Sequence, residues 1–141
     1  MIPEDLSPLA AAGFARSFAA LWGRGEAAGL AELFLPDGEC LTVGGTEAMG
    51  REAVAQALAG DLDGFLRGSR LVTGRTRVRN LTGGLLLSQR YVMSGLVDAD
   101  GQDLGRHGLA MSAVLQPSLE GLRALSVVLV PLELEKQLKR K

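Results

Sequence analysis

The chain has 141 residues, 47% of them apolar and 22% charged, and a formal net charge of −1. That length suits one domain and that composition is globular. The near-neutral balance excludes a whole-chain field for nucleic acid, and the single cysteine, Cys40, excludes an intrachain disulfide or a cysteine-based zinc site.

No basic stretch followed by an apolar core marks a signal peptide. The longest apolar run, Ala124 to Leu132, is too short for a bilayer and contains Ser126 and Pro131. A cytoplasmic location with no membrane partner is therefore expected. One domain should span residues 1–141, with a leader over 1–7 and a charged tail over 133–141, both expected to be flexible. That tail carries Lys136, Lys139, Arg140 and Lys141.

Ser7-Pro8 signals a helix start, since Ser caps and Pro suits the first helical position. Phe14, Phe18, Leu21 and Trp22 follow at helical spacing as one apolar stripe. Gly23 and Gly25 end that helix. A second short helix carries Leu30, Leu33 and Phe34. Pro36-Asp37-Gly38 signals a turn, and Glu39 to Val43 a short strand. A third helix is predicted from Arg51 to Phe65, with Val54, Leu58, Leu62 and Phe65 on its apolar face.

From Val72 the period changes to two. Val72 to Leu81 places Arg75, Arg77 and Arg79 on one face. Leu85 to Val97 is a long strand, and Asp98-Ala99-Asp100-Gly101 a hairpin turn. Arg106 to Gln116 and Leu122 to Leu132 complete four strands in meander. Helices early and hairpins late imply an α+β fold, a cone-shaped, mainly antiparallel curved sheet packed on three N-terminal helices. The mouth of such a cone is a natural ligand site.

Trp22-Gly23-Arg24-Gly25-Glu26, Ala31-Glu32-Leu33-Phe34 with Asp37-Gly38, and Gly50-Arg51-Glu52-Ala53-Val54 carry a resemblance. With the later Gly105-Arg106-His107 and Val130-Pro131-Leu132, they make the whole chain resemble the nuclear transport factor 2-like superfamily, and most closely its small bacterial snoaL-like branch. That superfamily includes ketosteroid isomerases, polyketide cyclases and dehydratases, so the resemblance implies a pocket and leaves the chemistry open. The isomerase tyrosine and two aspartates would fall at Phe18, Thr42 and about Ala113, none of which can serve. Ketosteroid isomerisation by its usual mechanism is therefore not expected. The same alignment implies that Phe18, Cys40, Thr42, His107, Leu109, Met111 and Ala113 face the cavity.

His107 is the only histidine and the candidate proton-transfer residue. Tyr91 and Gln89 are its candidate partners if the odd residues of strand 85–97 face inward. The odd set, Leu85, Leu87, Gln89, Tyr91 and Met93, has the larger apolar bodies. A one-residue slip would present Ser88 and Arg90 instead. The expected substrate-binding lining is Phe18, Trp22, Cys40, Thr42, Leu58, Gln89, Leu109, Met111 and Ser126. Cys40 is expected to be a small filler rather than a nucleophile.

Two functions suit this pattern. One is a cofactor-independent cyclase, dehydratase or isomerase, of secondary metabolism, acting on an apolar, ring-containing molecule. The other is a non-catalytic hydrophobic-ligand-binding or dimeric interaction module. No metal and no cofactor is expected in either. A homodimer is expected in both, because the outer sheet face, assigned Leu86, Val92, Val127 and Leu129, needs cover. The arginine row lacks the aromatic interleaving of a nucleic-acid surface, so no nucleic-acid partner is expected.

Overall fold

Ser7 accepts a hydrogen bond from the Ala10 amide at 3.0 Å and so caps α1 (Pro8–Gly23). This opens the computed structural model, which describes residues 7–133. Apart from Ser7 and Glu133, the expected leader and tail lie outside the described residues. Ala11, Phe14, Ala15, Phe18 and Trp22 form the buried stripe of α1. Three more elements follow before the meander: α2 (Ala27–Glu32), β1 (Phe34–Leu41) and β2 (Glu47–Met49). α3 (Arg51–Asp63) then buries Val54, Leu58 and Leu62.

The last four strands are β3 (Arg70–Leu81), β4 (Gly84–Ser94), β5 (His107–Ser118) and β6 (Gly121–Leu132). They pair as an antiparallel meander. β1 then joins β6 in parallel, and β2 pairs antiparallel with β1. The result is one mixed six-stranded sheet in the order β2-β1-β6-β5-β4-β3. The fold is α+β: a curved sheet with three helices on its inner face.

The inner face of β4 is the odd set. Leu85, Leu87, Gln89, Tyr91 and Met93 are all buried, whereas Arg90 is exposed. Their partners Leu115, Ala113, Met111 and Leu109 are buried too. Four rings seal α1 against this face. Phe18 lies 6.5 Å from Phe14, 5.9 Å from Trp22 and 6.3 Å from Tyr91, centroid to centroid. Each such buried ring contributes on the order of 2–3 kcal/mol through removal of apolar area from water.

Several boundaries differ from the sequence reading. Pro36-Asp37-Gly38 is no turn; it lies inside β1, where the register with β6 shifts between Phe34 and Glu39. Gly38 is needed because a Cβ there would sit 2.8 Å from the Ala124 carbonyl oxygen of β6. β2 was not expected at all, being three residues long with only Ala48 buried. α3 stops at Asp63, so Phe65 is 58% exposed and Leu66 takes the core position. β4 ends at Ser94 rather than Val97.

The parity of β6 also needs correction. A bulge at Leu125 shifts the register between Val114 and Leu115. Val127 and Leu129, expected on the outer face, are 0% and 2% exposed and pack inward. The outer positions of β6 are Ser126, Val128 and Val130, paired with Val114, Ser112 and Ala110.

Candidate functional site

β4 presents the central polar groups of the inner face, Tyr91 and Gln89. The Tyr91 hydroxyl donates to the Ala15 carbonyl oxygen at 2.8 Å, so it serves a backbone group of α1. Burial pushes its pKa above the ordinary tyrosine value. Gln89 is committed to β3. Its Oε1 accepts from the Thr76 hydroxyl at 2.6 Å, and its Nε2 donates to the Arg90 carbonyl at 2.8 Å and to the Gly74 carbonyl at 3.4 Å. There the register of β3 shifts between Thr73 and Thr76, leaving Gly74 and Arg75 opposite Arg90. Gln89 therefore clasps a bulge.

The other inward polar residues also serve the fold. Thr42 Oγ1 accepts from the Thr46 amide at 3.2 Å and shapes the loop between β1 and β2. It lies three strand spacings from Gln89, across β6 and β5. Trp22 Nε1 donates to Ser69 Oγ at 2.9 Å, and that hydroxyl donates to the Leu66 carbonyl at 2.6 Å. Cys40 is 2% exposed, and burial, with the Asp61 carboxylate adding to it, raises its pKa from 9.0 to about 12. A thiol so held is not a thiolate near neutral pH.

His107 opens β5 opposite Met93, one inward position beyond the Tyr91–Leu109 pair. It is half-buried, and its Nε2 lies 3.1 Å from the Leu104 carbonyl oxygen. Leu58, Leu109 and Met111 are buried in the shared core. Ser126, expected in the lining, lies instead in the outer row beside Glu39 and Val114, because the β6 bulge reverses its side. The inward candidates thus cover one sheet face and do not converge on a point.

A side chain bordering a water-sized void would keep accessible area. Phe18, Leu58, Gln89, Tyr91, Leu109 and Met111 each expose 2% or less, so the packing around them is close. Trp22 borders a cleft of about 300 Å³ between the ends of α1 and α3, with Leu62, Leu66 and Ser69. Other clefts open on the outer face. One of about 190 Å³ is lined by Arg75, Arg77, Ser88 and Arg90. Its neighbour of about 420 Å³ adds Val78, Arg79 and Leu86.

Sequence reasoning missed three anchoring groups. Arg51 donates through Nε and Nη2 to the Phe34 carbonyl and pairs with Glu120 at 3.5 Å. Asp61 accepts from the Gly44 amide at 2.9 Å. Ser69 holds Trp22 as described. Their partners are mostly backbone groups, which leave no mark in a sequence.

No family model matches the chain, and no curated protein matches it in sequence. Solved structures do match in shape. An NTF2-like protein with a cystatin-like fold from Novosphingobium aromaticivorans superposes with a TM-score of 0.69 at 24% identity, over 84% of this chain and 77% of that one. The fold is the NTF2-like, or cystatin-like, fold. A candidate dehydratase of the NTF2-like family from Streptomyces avermitilis shares it, with a TM-score of 0.71 and 15% identity over 86% of this chain and 92% of that one. So does a candidate calcium/calmodulin-dependent protein kinase II association domain from Xanthomonas campestris, with a TM-score of 0.74 and 19% identity over 92% and 91%. At these identities the NTF2-like likeness carries the fold alone.

Proposed function

We propose that this chain is a non-catalytic interaction module that forms a homodimer through the outer face of its sheet. One observation carries this reading. The inward polar side chains that a reaction would need, Tyr91, Gln89 and Thr42, are hydrogen-bonded to the protein's own frame and almost fully buried. The outer face, by contrast, offers Val114, Val128, Val130 and Leu86 with open clefts beside them. The NTF2-like neighbour from Xanthomonas campestris is itself named as an association domain, which supports the same reading. Sedimentation equilibrium at micromolar concentration is the test. A dimer that Val128→Glu dissociates is expected, and a monomer refutes the proposal.

A second reading has its own support. His107 is half-buried at the rim of the inner face, with one ring nitrogen at the Leu104 carbonyl and the other without a hydrogen bond among the described residues. A rim histidine suits proton transfer on an apolar, ring-containing molecule without a cofactor, and one neighbour is a candidate dehydratase. In that reading Phe18, Trp22, Leu109 and Met111 move apart to admit the substrate. Native mass spectrometry of freshly purified protein separates the two. A retained small molecule, lost in Met111→Trp, favours the ligand reading; a bare polypeptide mass favours the interaction module.

A further inference from the structure

A bulge decides which way the arginines of β3 point. Leu71 is buried on the inner face, opposite Met93. Counted in twos from Leu71, Arg75, Arg77 and Arg79 would also face the core. The extra residue between Thr73 and Thr76 reverses that, so Arg77 pairs with Ser88 and Arg79 with Leu86 at outer positions. Gln89 clasps the bulge through Thr76, Gly74 and Arg90. Gly74 leaves room for it, since a Cβ there would sit 3.2 Å from the Arg90 carbonyl oxygen. The outcome is one cleft of about 190 Å³ lined by Arg75, Arg77, Arg90 and Ser88. Among the described residues no carboxylate pairs with these arginines or with Arg79; the ion pairs are Arg24–Glu26 and Arg51–Glu120.

We propose that this cleft binds the dianionic phosphate of a phosphate monoester. Like charges set across a strand pair destabilise a sheet, and here three share one cleft with no carboxylate to offset them. Charges that deter strand addition at a sheet edge account for Arg75, Arg77 and Arg79, because β3 is an edge strand. They do not account for Arg90, whose strand lies between β3 and β5. Neighbouring strands lie about 4.8 Å apart and alternate residues of one strand about 7 Å apart, so three guanidinium groups so placed reach one anion. A carboxylate is satisfied by a single guanidinium fork, whereas a phosphate monoester brings nearly two charges and three acceptor oxygens and takes several. The Ser88 hydroxyl is a further donor. Arg77 and Ser88 also border the cleft of about 420 Å³, where Leu86 supplies an apolar wall and Arg79 a fourth cation. That space receives the organic part of the ligand. The site is assembled within one chain, so the inference stands apart from the homodimer reading.

Titration calorimetry of the full chain with inorganic phosphate and with phenyl phosphate, at low ionic strength, tests this. One saturable site per chain is expected, with phenyl phosphate the tighter ligand. Arg77→Gln or Arg90→Gln should weaken both by about tenfold or more. Arg16→Gln, at an exposed position of α1, should change neither. Arg77→Lys with Arg90→Lys keeps the charge and removes the forks, so affinity should still fall. Affinity retained in the lysine variant would reduce the site to a diffuse positive field and overturn the proposal, as would a wild type with no saturable binding. Co-sedimentation with phosphatidylcholine vesicles containing phosphatidic acid identifies the source of the phosphate. Vesicle binding that Arg90→Gln abolishes assigns the site to a lipid headgroup; phenyl phosphate binding without vesicle binding assigns it to a soluble molecule. A monomer that binds phosphate refutes the homodimer and upholds this site.

Discussion

The Tyr91 hydroxyl donates to the Ala15 carbonyl oxygen at 2.8 Å and so ties the middle of β4 to the middle of α1. Across this tie the rings of Tyr91 and Phe18 stack. Tyr91→Phe keeps the ring and removes the bond. It should lower stability by about 1 kcal/mol, the net value of one such bond. In urea the midpoint should fall while the slope stays the same. An unchanged midpoint would show that the bond contributes nothing.

Alkaline pH should unfold the protein through two groups. Burial raises the pKa of Cys40 from 9.0 to about 12 and raises that of Tyr91 above 10.0. Both are neutral when protonated, and the folded state holds their protons longer than the unfolded chain does. The unfolded chain then binds fewer protons, so stability falls as pH rises. The loss should begin near pH 9 with Cys40 and steepen above pH 10 with Tyr91, at no more than about 1.4 kcal/mol per pH unit for each. Cys40→Ala should abolish the part that starts near pH 9, as seen in urea midpoints measured from pH 8 to 10.

Gln89 is expected to hold β3 in its bulged form. Gln89→Leu leaves the Thr76 hydroxyl and the Gly74 carbonyl without their partner. Both groups are exposed and can bond water instead, so a loss of about 0.5–1.5 kcal/mol should follow. Amide hydrogen exchange should quicken in β3 around residues 72–78 before it changes in β5 or β6. Uniform quickening along the whole sheet would assign Gln89 to general packing instead.

Gly38 makes room for β6. A methyl group there must push the Ala124 carbonyl away or separate β1 from β6. Gly38→Ala should cost about 1–3 kcal/mol, the usual range for overpacking. Thermal denaturation would measure it. A melting temperature equal to that of the wild type would mean that β1 yields without penalty at its bulge.

The parts of this fold that follow simple periodicity were legible in the sequence. β4 alternates bulky and small or charged residues, so its inward set could be chosen, and the same holds for Arg77 and Arg79 on the outer face of β3. β6 is different. Leu122 to Leu132 is apolar almost throughout, so no alternation reveals the bulge at Leu125 that reverses every later residue. That hidden step moved Ser126 outward and Val127 and Leu129 inward. Pro36-Asp37-Gly38 misled for a related reason, because turn residues also build bulges inside strands. The inward candidates were found as residues, but what they do was not legible. The partners of Tyr91 and Gln89 are carbonyl groups of Ala15, Gly74 and Arg90, which every sequence supplies alike.

β6 lies between β5 and β1, and its bond to β1 is the sheet's one parallel pairing. β1 ends at Leu41, whereas β6 begins at Gly121. During synthesis β1 therefore leaves the ribosome long before its parallel partner strand. Until β3 and β4 emerge in their turn, the apolar stripe of α1 has only transient cover. Contacts so distant along the chain form slowly. A chaperone that shields the nascent α1 should therefore raise the yield of folded protein more than one that acts after release.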